Sequence, residues 1–226
     1  MAASLSLLRK ASSSVPDIKN RPIFMSTLIY YLRHAQSLQE SAKETANWHL
    51  TKLGYQQAAK LADILGQIEF TEIYSSPYKR CLETIAPYCK KYERVYQSHE
   101  DLKERLLVPS FNKKNYQEVH RKSWTYFSFS LPGCESSKSA QERIVSVLKL
   151  IANKHPGEKI LVSGHGQLLA LVLHHIDRSF GFKDQYGLLN PDLRVFKVTG
   201  GLLEESEDSH DLQSKIKKIA VPAMKF

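Results

Sequence analysis

The sequence predicts an α/β fold: a doubly wound, mostly parallel sheet with helices on both faces. Three observations carry this expectation. Short apolar runs rich in β-formers recur along the chain, as in "TLIYYL" (27–32) and "EKILVSGHGQ" (158–167). Amphipathic helical patterns lie between them, and strands alternating with helices imply a mainly parallel sheet covered on both sides. The length of 226 residues, with 42% hydrophobic and 24% charged residues, suits a globule of one α/β domain or two small ones.

In order along the chain, residues 1–24 are Ser-rich and basic, with no acid before Asp17. They faintly resemble an organellar transit peptide, yet Met25 would make a natural start, so they are read as an N-terminal extension outside a domain spanning 25–202. "TLIYYL" reads as a buried strand. "LTKLGYQQAAKLADILGQ" (50–67) places Ala58, Leu61, Ala62 and Leu65 at i, i+3, i+4, i+7, the stripe of an amphipathic helix, with Thr51 as N-cap. "TEIYSS" (71–76) is a second short strand. Pro77 then opens a helix through Tyr92 whose expected inner stripe is Leu82, Ile85, Ala86 and Cys89.

"ERVYQ" (93–97) reads weakly as a strand, and 99–134 is less regular. The helix in 136–157 has the stripe Ala140, Ile144, Val147, Leu148, Ile151. A further apolar strand ends in Gly164-His165-Gly166, "LLALVLHHI" (168–176) continues as a helix, and "DLRVFKV" (192–198) alternates as a last strand. The tail 203–226 turns from acidic to basic and is read as a mostly surface-lying C-terminal extension.

Composition narrows the function. The net charge is +9, from 32 basic and 23 acidic residues, but the lysines are scattered and no nucleic-acid motif occurs. A small anionic substrate suits this balance better than nucleic acid. Cys81 and Cys89 lie on one expected helix, roughly 12 Å of rise apart, too far for a disulfide. Together with Cys134 they read as reduced thiols of an intracellular, cytoplasmic protein, with organellar targeting by residues 1–24 left open. No stretch approaches membrane-spanning length.

In doubly wound sheets, ligands bind beyond the carboxyl ends of the strands. Arg33-His34 follows one strand directly, His165 follows another, and Arg80 opens the helix after a third exit. Each has a bland explanation alone, but together they put two guanidinium groups and two imidazoles at one edge. Guanidinium groups bind phosphate oxygens bidentately, and a neutral imidazole can act as a nucleophile, so the arrangement points to phosphoryl transfer.

The motifs "LRHAQS", "LTKLGYQQAAKL", "IYSSPYKRCLET", "DLKERL", "LPGCESSKSAQERI" and "VSGHGQLLALV" occur in the order found in the histidine phosphatase superfamily, the phosphoglycerate mutase-like enzymes. The chain resembles that family over about residues 26–200. The resemblance implies a doubly wound α/β fold, no metal or other cofactor, and a phosphohistidine intermediate. It implies His34 as nucleophile, Arg33 and Arg80 as phosphate-binding arginines, His165 as the second histidine and Glu104 as the acid that protonates the leaving group. The expected substrate contacts are Arg33, Gln36, Ser37, Arg80, His165 and Gly166.

The chain departs from the family pattern at Ala35 and Gln36, and Glu40 stands where an asparagine is usual. "LLVPSFNKKNY" replaces the family's Gly-x-Trp-x-Gly, which leaves Glu100 and Asp101 as rivals of Glu104.

Segment 105–134 is where substrate choice is expected. Lys113, Lys114, Arg121 and Lys122 alternate with Phe111, Tyr116, Trp124, Tyr126, Phe127 and Phe129, either as a basic, aromatic lid suited to an organic phosphate larger than a triose or as a plain surface cover. The expected activity is metal-independent hydrolysis of a small organic phosphate monoester. The alternatives are mutase-type transfer, in which a second substrate hydroxyl accepts the phosphoryl group, and a non-catalytic binding protein on the same fold. A metal-dependent hydrolase is disfavoured, because no His-x-His or His-Glu-x-x-His occurs. The expected partner is a small phosphorylated metabolite, with no nucleic acid and no membrane; a homodimer is admitted.

Overall fold

The computed structural model describes residues 25–39, 44–111 and 113–222, except the side chains of 113, 114 and 209. Glu40, the N-terminal extension 1–24 and the last four residues lie outside the described residues. A six-stranded sheet forms the centre, in the order β3-β2-β4-β1-β6-β7. Its strands are β1 (Thr27–Arg33), β2 (Glu72–Ser75), β3 (Gln97–Ser98), β4 (Lys159–Gly164), β6 (Asp192–Thr199) and β7 (Leu202–Glu205). The first four run parallel, and β6 and β7 complete the sheet antiparallel. A two-residue strand β5 (Leu189–Asn190) pairs separately with β8 (Val221–Pro222).

The apolar runs are continuous because both faces of the sheet are covered. Ile29 and Tyr31 of β1, Ile160 and Val162 of β4, and Phe196 and Val198 of β6 point into one core. There they meet Ile144 and Leu148 of α4 (Ser137–Lys154) and Leu169 and Val172 of α5 (Gly166–Ile176). The alternate residues Tyr30, Leu32, Leu161, Leu193 and Val195 point into the other core. That core holds Leu61 and Leu65 of α1 (Lys52–Leu65) and Ile85 and Tyr88 of α2 (Lys79–Lys91). Thr51 caps α1 as expected, its hydroxyl accepting from the Gly54 N–H.

Three expectations change. The buried face of α2 is Cys81, Thr84, Ile85 and Tyr88, while Ala86 is exposed. Apolar periodicity favoured Leu82 and Ala86, but the helix is rotated by the polar groups that Arg80 and Thr84 must bury. The weak strand over 93–97 is displaced: Glu93 adopts φ 51° just after α2, Val95 is exposed, and only Gln97–Ser98 pairs with β2.

The expected boundary at 202/203 falls inside β7. Beyond it, α6 (Ser209–Lys217) buries Leu212 and Ile216 in the second core, and β8 returns to β5. Two apolar residues at i and i+4 hold the helix down, while the flanking charges that suggested a surface extension face outward.

The irregular segment contains α3 (Lys113–Thr125), whose buried positions are His120 and Ser123. A helix with a polar inner face shows no apolar stripe, so periodicity could not announce it. No helix among the described residues is long and apolar enough to cross a membrane.

Candidate active site

The sheet brings the predicted residues together. His34 extends the β1–β4 pairing by one residue, its N–H donating to the Gly164 carbonyl at 3.0 Å. The loop after β1 is then pinned on three more sides. Ala35 N–H donates to Thr84 Oγ1 (3.0 Å), Gln36 N–H to Gln57 Oε1 (2.9 Å), and Asn190 Nδ2 to the His34 carbonyl (3.1 Å). From β4, His165 caps α5, with its N–H donating to Tyr31 Oη at 3.0 Å. Tyr31 Oη occupies the space of a side chain at 164: a Cβ there would lie 2.3 Å from it, so only glycine fits. The two imidazole rings end 5.5 Å apart.

Hydrogen-bond partners fix both tautomers. His34 Nδ1 lies 2.7 Å from the Ala35 carbonyl, which can only accept, so Nδ1 carries the proton and Nε2 keeps its lone pair. Arg80 Nε donates to that Nε2 at 3.1 Å. Arg80 Nη2 donates to His165 Nδ1 at 3.0 Å, so His165 carries its proton on Nε2 and donates to Ser76 Oγ at 2.7 Å. Arg80 Nη1 donates to the Thr45 carbonyl at 2.5 Å, and the guanidinium lies between the rings of Trp48 and Tyr78, 5.6 and 5.1 Å from their centroids. Burial, reinforced by Arg80 and Arg33, holds both histidines well below the ordinary imidazole pKa, so each is neutral near pH 7. The Cys81 thiol, 3.4 Å from His165 Nε2, is pushed up to about 12 by burial and stays a thiol.

Glu104 lies in the same cavity, while Glu100 and Asp101, its rivals, are exposed. Its Oε1 accepts from the Arg105 N–H (2.9 Å) and its Oε2 from the Gln167 N–H (3.2 Å), which aims the carboxyl between α5 and the 105–111 loop. Burial raises its pKa above the ordinary carboxylate value, against the opposing pull of Arg80 and these two N–H groups. A carboxyl so perturbed beside a nucleophile and two arginines is suited to proton transfer.

The other expected contacts are less direct. Gln36 and Ser37 line the cavity, with Gln36 Oε1 accepting from Thr51 Oγ1 at 2.7 Å. Gly166 packs against Arg33: a Cβ there would lie 2.6 Å from the guanidinium carbon. Arg33 Nε is buried without a protein partner, a donor that an oxyanion could satisfy. Gly166→Ala should therefore displace Arg33 and weaken vanadate binding. A lost charge-assisted contact costs about 1.5–3 kcal/mol, or roughly 10–100-fold in Kd, with little change in melting temperature. Vanadate titration checks this; unchanged affinity would mean that Arg33 does not touch the anion.

Sequence reasoning missed several contributors. Ser76 sits at the β2 exit in "YSSPYKR", a position as telling as that of His165. Arg105 follows Glu104 directly; its Nε donates to the Glu135 carbonyl and its Nη1 to Ser123 and Ser137. Tyr116, by contrast, was among the aromatics expected in segment 105–134, and it lines the cavity with its Oη accepting from Gln167 Nε2 at 2.9 Å. Arg121 and Lys122 do not face the cavity: both are exposed, and Lys122 lies over Phe129 at 4.2 Å. The side chains of Lys113 and Lys114 lie outside the described residues. Among the described residues no cluster of three or more His, Cys, Asp or Glu could hold a metal ion.

Residues 29–203 match the histidine phosphatase superfamily (branch 1). Phosphoglycerate mutase-like protein 4 of Arabidopsis thaliana is 31% identical over 165 residues, spanning 67% of this chain and 70% of that protein. The metal-independent phosphoserine phosphatase of the same plant is 29% identical over 168 residues, spanning 68% and 70%. The fold is similar to that of the phosphoglycerate mutase from Bacillus anthracis str. Sterne, with a TM-score of 0.69 at 22% identity over 86% of this chain and 98% of that one.

Proposed function

The chain belongs to the histidine phosphatase superfamily (branch 1), and on that premise we propose that it hydrolyses an organic phosphate monoester without a metal, through a phosphohistidine on His34. The observation that carries this reading is the His34 tautomer: Nδ1–H is tied to the Ala35 carbonyl, so Nε2 keeps its lone pair, which accepts from Arg80 Nε and is freed for attack when a phosphate draws the guanidinium onto its own oxygens. Nε2 attacks phosphorus, the N–P bond forms and the bond to the ester oxygen breaks. Arg33 and Arg80 hold the non-bridging oxygens as charge redistributes, while His165 fixes the Arg80 guanidinium by accepting from its Nη2. The protonated Glu104 gives its proton to the departing oxygen. As a carboxylate it then takes a proton from water, whose oxygen attacks phosphorus as the P–N bond breaks. Phosphate leaves, and His34 is neutral again.

Net hydrolysis is favoured over mutase-type transfer by the residues just after Glu104. A mutase must hold a bisphosphate, whereas Leu106, Leu107, Val108 and Phe111 line the cavity here. The similarity to a metal-independent phosphoserine phosphatase supports the same choice. Incubation with monoesters in the presence of a chelator should release inorganic phosphate and the alcohol in equal amounts. Interconversion of the two monophosphoglycerates, dependent on the bisphosphate and faster than phosphate release, would reverse the choice.

A further inference from the structure

We infer that the alcohol portion of the substrate is bulky and apolar, an aromatic group above all. The inference rests on the phosphatase reading and concerns the far end of the same cavity. That cavity has a volume of about 520 Å³, within the range that holds ligands much larger than a phosphorylated triose.

Leaving His34, its wall becomes a chain of rings in edge-on or tilted contact. Trp48 meets Phe111 at 5.3 Å between centroids, Phe111 meets Tyr116 at 5.4 Å, and Tyr116 meets His120 at 5.4 Å. Beyond them Phe182 links His120 to Tyr186. All of these except Phe182 line the cavity. Rings so arranged accept a further ring in the same edge-on or offset geometry. Leu106 stands at the same wall with 43% of its surface exposed, apolar area that a ligand could cover.

The charges of the wall leave a single cation to set against this. Beyond Arg33 and Arg80, Arg105 is the remaining arginine or lysine lining the cavity among the described residues. Its Nε and Nη1 are committed to Glu135, Ser123 and Ser137, whereas its Nη2 is buried without a protein partner and is, among the described residues, the one further donor that could meet a second anion there. His120 is neutral, its pKa pushed down to about 3 by burial. The Glu44 carboxylate lines the same space, so a second carboxylate on the substrate would meet like charge on that side. An apolar ring meets no such opposition.

Benzyl and ethyl phosphate test this, because their alcohols have similar acidity and the chemical barrier is comparable. The kcat/KM for benzyl phosphate should exceed that for ethyl phosphate at least about tenfold, and Leu106→Ser should reduce the ratio. Benzylphosphonate and ethylphosphonate cannot be hydrolysed, and calorimetry should show the same preference in Kd. Equal affinity for the two phosphonates would overturn the inference whatever the catalytic outcome. A benzyl preference in binding with no phosphate release would instead overturn the phosphatase reading and keep the cavity assignment. A higher kcat/KM for phosphoserine than for benzyl phosphate, lost in Arg105→Gln, would replace the apolar group with a carboxylate held by Arg105.

Discussion

His34→Ala is expected to abolish phosphate release, lowering kcat by about 10⁴-fold or more, as removing a covalent nucleophile does elsewhere. It should also abolish any acid-labile, base-stable phosphorylation of the protein. Neither His165 nor Cys81, the nearest alternative nucleophiles among the described residues, can substitute. His165 is tied through Nε2 to Ser76 and through Nδ1 to Arg80, and the Cys81 thiol is protonated at working pH.

Loss of fold must be separated from loss of chemistry, and the histidine pKa shift supplies the means. His34 is held neutral in the folded chain, well below the ordinary value near 6.5, so below that value the unfolded chain binds a proton that the folded chain refuses. Stability therefore falls as pH drops from about 6.5 towards the lowered folded value, by up to about 1.4 kcal/mol per pH unit for such a group. Removing His34 removes that penalty. The variant should be inactive at neutral pH and lose less melting temperature than the wild type between about pH 6.5 and 5. Full activity in the variant would end the phosphohistidine reading.

The sequence made the sheet legible because burial on both faces leaves continuous apolar runs, as in β1 and β4. The edge that carries the candidate site was legible for a related reason. A cation and an imidazole directly after such a run, at Arg33-His34, and an imidazole between two glycines after another, at His165, break the apolar pattern, while both imidazoles stay buried. What was illegible lies where polar groups do the packing. Helix α3 turns His120 and Ser123 inward, and α2 turns Arg80 and Thr84 inward, so apolar periodicity missed the first and rotated the second. Charge alone does not say which way it faces: Arg121 and Lys122 read equally as lid or as surface cover and are solvated, whereas Arg105 looked unremarkable and is buried. The tail was misread because its two anchoring residues, Leu212 and Ile216, are few among many charges. Pro222, at its described end, lines the cavity.

Glu104→Gln should split the reaction into its two halves. With benzyl or ethyl phosphate the departing alkoxide needs a proton, and without the carboxyl, turnover should fall by about 10²–10⁴-fold. With 4-nitrophenyl phosphate the phenolate leaves unassisted, so His34 should still be phosphorylated at a useful rate. Water then attacks the phosphohistidine without a base, and the intermediate accumulates. A stoichiometric burst of nitrophenolate followed by a slow steady state is the expected trace, with the label on His34. The substitution keeps the size of the side chain but replaces one acceptor with an amide donor, so one of the Arg105 and Gln167 N–H groups loses its partner. A modest fall in melting temperature is therefore expected alongside. The pH profile gives a second check. The wild-type acid must be protonated in the free enzyme, so kcat/KM on an alkyl phosphate should decline as pH rises through the raised Glu104 pKa. That limb should vanish in Glu104→Gln, because nothing titrates at the position. Equal losses on alkyl and nitrophenyl esters, with no burst and the limb intact, would show that Glu104 is not the proton donor.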